Sequence, residues 1–430
     1  MRQISIACIG CGSRGRTYLS IAASMNKHYK IVAAADPSED RLEAIRELSG
    51  NPDFTGFKSD DEILAEPKLA DLMIIATQDS MHVKACLLAL KRGYDILVEK
   101  PVATNIEDVL LIEKCARKYG RRVQVCHVLR YGRFYKKVHE IIEEGTLGDV
   151  VSIHMSEGVT TFHQAHSYVR GHWGVKEKSS PMIIAKSCHD LDILCWLVDS
   201  DCVKVSSFGG LSYFNESNMP KGAPSRCTGG CPVVNECEYN ANLYKSTQRA
   251  WLNRVWPTCE DVENISDERI TEWLKASPWG RCVYRCDNNV VDHQVVNMQF
   301  TNDVTASFTM TAFDSGRNIE IFGTKGYLRG GDALKKRSGS DIVVNKHFGN
   351  EQIDYSIDCS EESGDYDGHG GGDYGLIKEL YYELLKEPED MKTSIHASVI
   401  SHIIGFAAEE SRLKSEVIFI KKENDIRQVM

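Results

Sequence analysis

Five short apolar runs, at residues 4–9, 31–35, 72–76, 96–98 and 123–125, punctuate the first third of the chain. Between them, at 16–23, 40–48, 81–91 and 105–119, apolar residues return at helical spacing. Runs that are apolar without alternation fill a parallel sheet covered on both faces, whereas a half-exposed strand alternates. Gly93 and Gly120 stop two of the helices, and Thr104 with Glu107 stands at capping-box spacing before the last. The alternation predicts a doubly wound parallel sheet whose ligand crevice lies at the carboxyl ends of its strands. After about residue 126 the period changes to two, at 150–156, 203–208, 295–300, 305–311 and 319–322. This predicts a second, α/β unit with a large, mostly antiparallel open sheet. A helix at 374–386, with Asp373 as its cap, another at 395–414 and a strand at 417–420 complete the pattern. The chain therefore divides at 1–125 and 126–430. A Pro-, Gly- and Cys-rich excursion at about 214–289, holding four of the six tryptophans, is too long for a simple loop and reads as an inserted substructure.

Composition narrows the partners. The formal charge of −10 and the lack of long basic tracts argue against a nucleic-acid or anionic-membrane surface and leave small ligands. The N-terminus enters a strand without a basic region or a long apolar run, and no segment has the ~18 apolar residues of a membrane span, so a cytoplasmic protein is expected. Fifteen cysteines, many within apolar runs, fit buried thiols in a reducing compartment. Cys227, Cys231, Cys237, Cys282 and Cys286 are denser than usual. Their C-x3-C-x5-C spacing lacks the tight C-x2-C knuckle, so free thiols are favoured and no metal is assigned, with structural zinc as the alternative.

Chemistry concentrates in three places. Gly10, Gly12 and Gly15, with Ser13 and Arg14 among them, sit between the first apolar run and a helix. Such glycines allow a tight turn, close approach of a pyrophosphate to backbone, and tight helix–strand packing. Asp36, closing the next run, suits ribose hydroxyls and so NAD, while nearby Arg41 keeps NADP open. Glu99-Lys100-Pro101 follows the fourth run, where the sheet's edge delivers side chains to a cofactor; the proline favours an extended backbone that aims the Lys100 amine. His189 begins an apolar helix, with Asp192 placed to orient it. A lysine and a histidine are suited to holding an alcohol and taking its proton while hydride leaves. Arg130, Tyr131, Glu157, His163, His166, Arg170 and Trp173 combine aromatic rings with hydrogen-bonding groups, as a sugar site does. His369 lies in a glycine run, Gly368 to Gly372, that lets backbone approach a ligand.

With G-C-G-S-R-G at 10–15, I-A-T-Q-D-S-M-H at 75–82, E-K-P at 99–101 and the His189 helix start, the chain resembles the Gfo/Idh/MocA oxidoreductases over almost its whole length. The resemblance implies a Rossmann domain followed by an α/β domain whose open sheet forms dimers or tetramers. It also implies NAD- or NADP-linked oxidation of sugars, cyclitols and related compounds. Lys100 would hold the reacting hydroxyl, His189 would be the catalytic histidine, and Thr77, Gln78 and His82 would line the nicotinamide side. The aspartate that many members carry four residues before the histidine is here Ala185, followed by Lys186, which is expected to contact substrate. The G-H-G-G segment also resembles NAD-dependent glycosidases of the same superfamily, which oxidise their sugar transiently and return the hydride; a redox-neutral glycosidase is the second reading.

Overall fold

The computed structural model describes residues 2–358, 366, 368–386, 391–423 and 426–429. Its first sheet is formed by β1 (Ile4–Ile9), β2 (Tyr29–Ala35), β3 (Thr55–Phe57), β4 (Leu72–Ile75), β5 (Asp95–Val98) and β6 (Val123–Val125). All neighbours pair in parallel, in the order β3-β2-β1-β4-β5-β6. The order reverses between β1 and β4, so the crevice opens at the carboxyl ends of these two strands. The short edge strand β3, with Thr55, Gly56 and Phe57, carries too little apolar signal to be foreseen.

The second sheet contains β7 (Val150–Val159), β8 (Cys202–Gly210), β9 (His293–Phe300), β10 (Thr305–Thr311), β11 (Ser315–Gly323), β12 (Gly326–Gly331), β13 (Ile342–Lys346), β14 (Gln352–Tyr355), β15 (Ile418–Glu423) and β16 (Ile426–Val429). Its order is β14-β13-β12-β11-β7-β10-β9-β8-β15-β16, antiparallel except where β7 runs parallel to β10. Period-two patterning sends Ile153 and Met155 of β7 inward and leaves His154 out.

Two caps differ from expectation. The helix Ile106–Tyr119 is capped by Asn105, whose side chain accepts from the Asp108 N–H at 2.9 Å, so the cap falls one residue beyond Thr104. Gly371 precedes the helix Gly372–Leu384, and the Asp373 carboxylate bonds elsewhere instead of capping it.

The parallel sheet buries a different cluster on each face. Ile4, Ile6 and Cys8 face a core completed by Leu376, Ile377, Leu380 and Tyr381 of the late helix Gly372–Leu384. Ala7 and Ile9 belong to the cluster that continues into the second sheet and the helix Ile395–Lys414. The excursion has cores of its own: Tyr244, Leu252, Trp256, Ile270 and Trp279 in one, and Phe214, Tyr239 and Val283 in another. Among the described residues, no helix is long and apolar enough to cross a membrane.

Candidate active site

The three glycines after β1 serve three separate needs. Gly10 has φ +91°, and a Cβ there would lie 2.6 Å from the Ala76 carbonyl oxygen on β4's exit. A Cβ on Gly15 would lie 2.0 Å from the Gly10 oxygen, so only glycine lets this helix pack on its strand. At Gly12 a Cβ would meet nothing within 4 Å, leaving open space before the helix Ser13–Ser24. No side chain caps that helix, so its first N–H groups are free for an anion. Asp36, at the end of β2, is 4% exposed and accepts N–H bonds from Cys11 (2.8 Å) and Ser38 (2.9 Å). Arg41 lies 3.6 Å from the same carboxylate. The hydroxyl of Thr77 is buried without a partner, and Gln78 is exposed beside it. An open cradle at an uncapped helix start, a carboxylate at the end of β2 and an orphaned hydroxyl on the loop after β4 fit a dinucleotide.

Three predicted cofactor residues brace this crevice. His82 is buried with its ring nitrogens 2.9 Å from the Pro101 oxygen and 3.2 Å from the Thr77 oxygen, tying the two loops together. Arg14 turns to carboxylates: Nε donates to Glu99 (2.8 Å), and Nη1 and Nη2 donate to Asp373 (3.1 and 2.6 Å). Glu99 also accepts from the Tyr18 hydroxyl (2.6 Å). Burial alone would raise the Glu99 carboxyl, yet Arg14 and Lys100 outweigh it and hold it below the usual carboxylate range.

Lys100, leaving β5, donates from Nζ to the Ala185 carbonyl at 2.8 Å. That carbonyl ends the short helix Met182–Ala185, just before the helix Cys188–Val198 that carries His189. His189 is 6% exposed and its Nδ1 has no partner. Burial, then Lys100, His127 and His369, push its pKa well below the ordinary histidine value, so the ring is neutral. Its ring lies 5.8 Å from that of His127 and 6.0 Å from that of His369. His369 has φ +54° and rests its Nδ1 on Asp373 at 3.1 Å.

Asp192 does not orient His189. Its carboxylate takes a bidentate bond from Arg130, Nε and Nη2 each at 2.7 Å. This also removes Arg130 from the predicted substrate set, since Nη1 donates to the Lys392 carbonyl. Tyr131 is 2% exposed and bonded to Gln124 and Thr393. His166 is 2% exposed, contacts the Tyr244 hydroxyl at 2.5 Å, and burial takes its pKa down to about 3. Arg170 is 1% exposed and donates to the Arg281 and Tyr239 carbonyls. These four belong to the packing behind the site.

Glu157 and Lys186 pair just before the His189 helix, with His163 near Lys186 and Trp173 tied to the cofactor-side loop. Lys186 Nζ lies 2.8 Å from Glu157 Oε1, and Arg317 Nε lies 2.8 Å from Glu157 Oε2 and 2.7 Å from Asp190 Oδ1. Burial lowers the Lys186 pKa against the opposing pull of Glu157. Arg317 stands directly opposite Glu157 in the β11–β7 register, a partnership no linear spacing reveals. Trp173 Nε1 donates to Asp79 on the cofactor-side loop at 3.0 Å. The excursion supplies a further wall that the sequence did not announce. The Trp251 ring lies 4.9 Å from that of His163, and the Arg254 guanidinium sits 4.4 Å from the Trp251 ring centroid. Burial, with Lys186 and Arg254 nearby, lowers the His163 pKa to about 2. The segment entering this wall, Gln164–Val169, is a π-helical turn, a form common at functional sites.

Comparison with known proteins shows the family and the fold. Residues 4–127 match an oxidoreductase family with an NAD-binding Rossmann fold, and residues 139–412 match that family's C-terminal alpha/beta domain. The chain is 24% identical to YteT of Bacillus subtilis, assigned as an oxidoreductase, over 96% of this chain and 97% of that one. It is 28% identical to an inositol 2-dehydrogenase of Gluconacetobacter diazotrophicus, over 46% of this chain and 56% of that one. The WlbA dehydrogenase of Bordetella pertussis, solved in complex with NADH and UDP-GlcNAcA, superposes with a TM-score of 0.65 at 17% identity, covering 98% of this chain and 100% of that one. A Rossmann half that binds NAD, joined to this open-sheet half, makes the chain a member of the Gfo/Idh/MocA oxidoreductase family.

Proposed function

We propose that the protein oxidises a hydroxyl group of a sugar, cyclitol or sugar derivative with NAD, Lys100 holding the reacting hydroxyl and His189 accepting its proton. The observation that carries this reading is the approach of Lys100 to a neutral, incompletely partnered imidazole at the carboxyl edge of the parallel sheet. Gly10, Gly12, Ser13 and Gly15 would hold the pyrophosphate, Asp36 the adenosine ribose, and Thr77 and Gln78 the nicotinamide end. NAD supplies the hydride acceptor when bound.

His189 is kept neutral and can take the hydroxyl proton as the alcohol becomes a carbonyl. The burial and nearby Lys100 that keep it neutral also make it shed that proton readily. His369, beside it, partly exposed and backed by Asp373, is the next carrier toward solvent. The Glu157, Asp190, Lys186 and Arg317 charges balance, which fixes β7 and β11 against the His189 helix without adding net charge. Lys186 contacts a substrate hydroxyl from this network. Trp173 and Trp251 offer ring faces to the C–H side of a sugar ring. Outward-facing Phe208, Phe322 and Phe419 of the second sheet support association of two or more copies through that sheet.

The test is NADH formation with NAD against free sugars, inositols, sugar acids and aryl glycosides, with aglycone release followed in parallel. NADH growth with a free polyol or sugar is the expected outcome. Aglycone release without net NADH would favour the glycosidase reading, for which the His369 segment beside His189 speaks. Full activity in Lys100→Ala or His189→Ala ends that residue's assigned role, and unchanged affinity and rate in Lys186→Ala remove its substrate contact.

A further inference from the structure

The cysteines of the excursion take no part in this chemistry, yet the fold assembles them. The Cys227 N–H donates to the Gly280 oxygen (3.0 Å) and the Cys282 N–H to the Ser225 oxygen (2.9 Å), which sets Cys227 and Cys282 on adjacent extended segments. Turns closed by Val234 N–H to the Cys231 oxygen (3.3 Å) and Cys237 N–H to the Val233 oxygen (3.0 Å) bring Cys231 and Cys237 round. Cys227, Cys231, Cys237 and Cys282 then line a single cavity of about 20 Å³. Cys286 is outside it, its Sγ directed at the Cys282 oxygen at 3.3 Å.

A second observation points to what the cavity takes. Arg170 also lines it and is 1% exposed. Its Nε and Nη2 donate to carbonyls, Nη2 lies 3.6 Å from Cys227 Sγ, the Tyr244 hydroxyl lies nearby, and Nη1 makes no well-formed hydrogen bond. No carboxylate pairs with it among the ion pairs of the described residues. A guanidinium buried among neutral groups lacks a counter-anion, an arrangement that is strongly disfavoured. Neutral thiols do not supply that charge. Thiolates bound to a metal do supply it, because four of them outweigh a divalent ion or an iron–sulfur core.

We propose that Cys227, Cys231, Cys237 and Cys282 form a four-thiolate site for a soft metal centre, with Arg170 as its counter-cation. Among the described residues no three donors converge closely enough to hold one ion as the side chains stand. The thiols surround a space of about one water's size, so a single zinc is held once the side chains close in, whereas an iron–sulfur cluster needs that space to widen. The centre pins Cys282 to the 227–237 turns and so closes the base of the substructure that carries Trp251 and Arg254 to the active site.

The experiment is elemental analysis of full-length protein purified without chelator and without air, for zinc, iron and acid-labile sulfide, together with its visible absorption. About one zinc per chain without colour, or about four irons with matching sulfide and broad visible absorption, supports the site and identifies its occupant. Cys231→Ser and Cys237→Ser should lose that metal while Cys286→Ser keeps it. Wild-type protein below about a tenth of an equivalent of either metal, and still so after reconstitution with Zn2+ or with Fe2+ and sulfide, overturns the proposal. So does full metal content in Cys231→Ser. If the serine variants do not fold, the wild-type count decides alone. No substrate enters the measurement, so its failure is separate from failure of the dehydrogenase reading.

Discussion

Replacing Arg14 with methionine removes the cation that ties the first helix to the far end of the chain. Glu99 and Asp373, its two partners, have side chains only 8% and 4% exposed. Methionine keeps much of the volume and leaves both carboxylates without their cation. Breaking a buried pair by removing one partner costs about 3–5 kcal/mol. Because 31% of the Arg14 side chain meets solvent, water can partly replace it, and the lower end, about 3 kcal/mol, is expected. That is a large share of the ~5–15 kcal/mol that usually holds a domain together. Burial would raise the Asp373 carboxyl, but His369 and Arg14 hold it well below its ordinary value. A carboxyl depressed in the folded state contributes stability that is present above its unfolded value, about 3.9, and is lost as pH falls through the folded one. The gap between wild type and variant should therefore be widest at neutral pH and narrow in acid. Urea unfolding across that pH range measures it, and turnover should fall as well, because Asp373 braces His369. A variant within about 0.5 kcal/mol of wild type at neutral pH, or additive effects of Arg14→Met and Asp373→Asn, would refute the reasoning.

Gly12→Ala and Gly15→Ala should part company: the first keeps the melting temperature and weakens NAD binding, whereas the second, with its Cβ 2.0 Å from the Gly10 oxygen, loses stability as well. Equal melting temperatures for the two would contradict this. Asp36→Ser should lower the preference for NAD over NADP by about tenfold or more in kcat/KM, and an unchanged ratio would show that Arg41 sets the choice. His127, His163, His166, His189 and His402 all have pKa values lowered, by burial first. The unfolded chain takes up protons below about 6.5 that the folded chain refuses, so stability is full above that pH and falls below it, by up to about 1.4 kcal/mol per pH unit for each histidine. His127→Gln should flatten that slope by one proton, and an unaltered slope counts against a neutral His127. Trp251→Ala and Arg254→Met should raise the substrate KM with NAD affinity retained; loss of NAD binding in either would remove the excursion from the substrate side.

The parallel sheet was legible because five of its six strands are short apolar runs bounded by glycine or a polar turn, and the glycine motif stated its geometry residue by residue. Strands β12 to β14 were not foreseen, since Gly326, Gly330, Gly331 and several polar residues dilute their alternation. In the site, Lys100 and His189 stood out as chemistry at element ends, where a sheet exposes side chains. Arg130 and Arg170 had the same appearance in the sequence, yet each is consumed by an acceptor from a distant segment, Asp192 in one case and the carbonyls of Tyr239 and Arg281 in the other. Arg317 escaped notice for the opposite reason: its partners Glu157 and Asp190 lie on other elements, and only the β11–β7 register joins them. A polar residue's role here depends on which long-range neighbour reaches it first.

The helix Gly372–Leu384 closes the core under Ile4, Ile6 and Tyr29, and its Asp373 meets Arg14 across 359 residues of chain. A ribosome moving at ~5–20 residues per second delivers that helix roughly 20–70 s after the first strand emerges. Throughout that interval one apolar face of the nascent sheet is covered only in part, by the helices Ser13–Ser24 and Glu39–Ser49. The amino-terminal third is thus a layer with a gap that waits for its last helix, and a gene truncated before residue 372 should yield a chain that sticks to chaperones or to itself in place of a free-standing cofactor-binding unit.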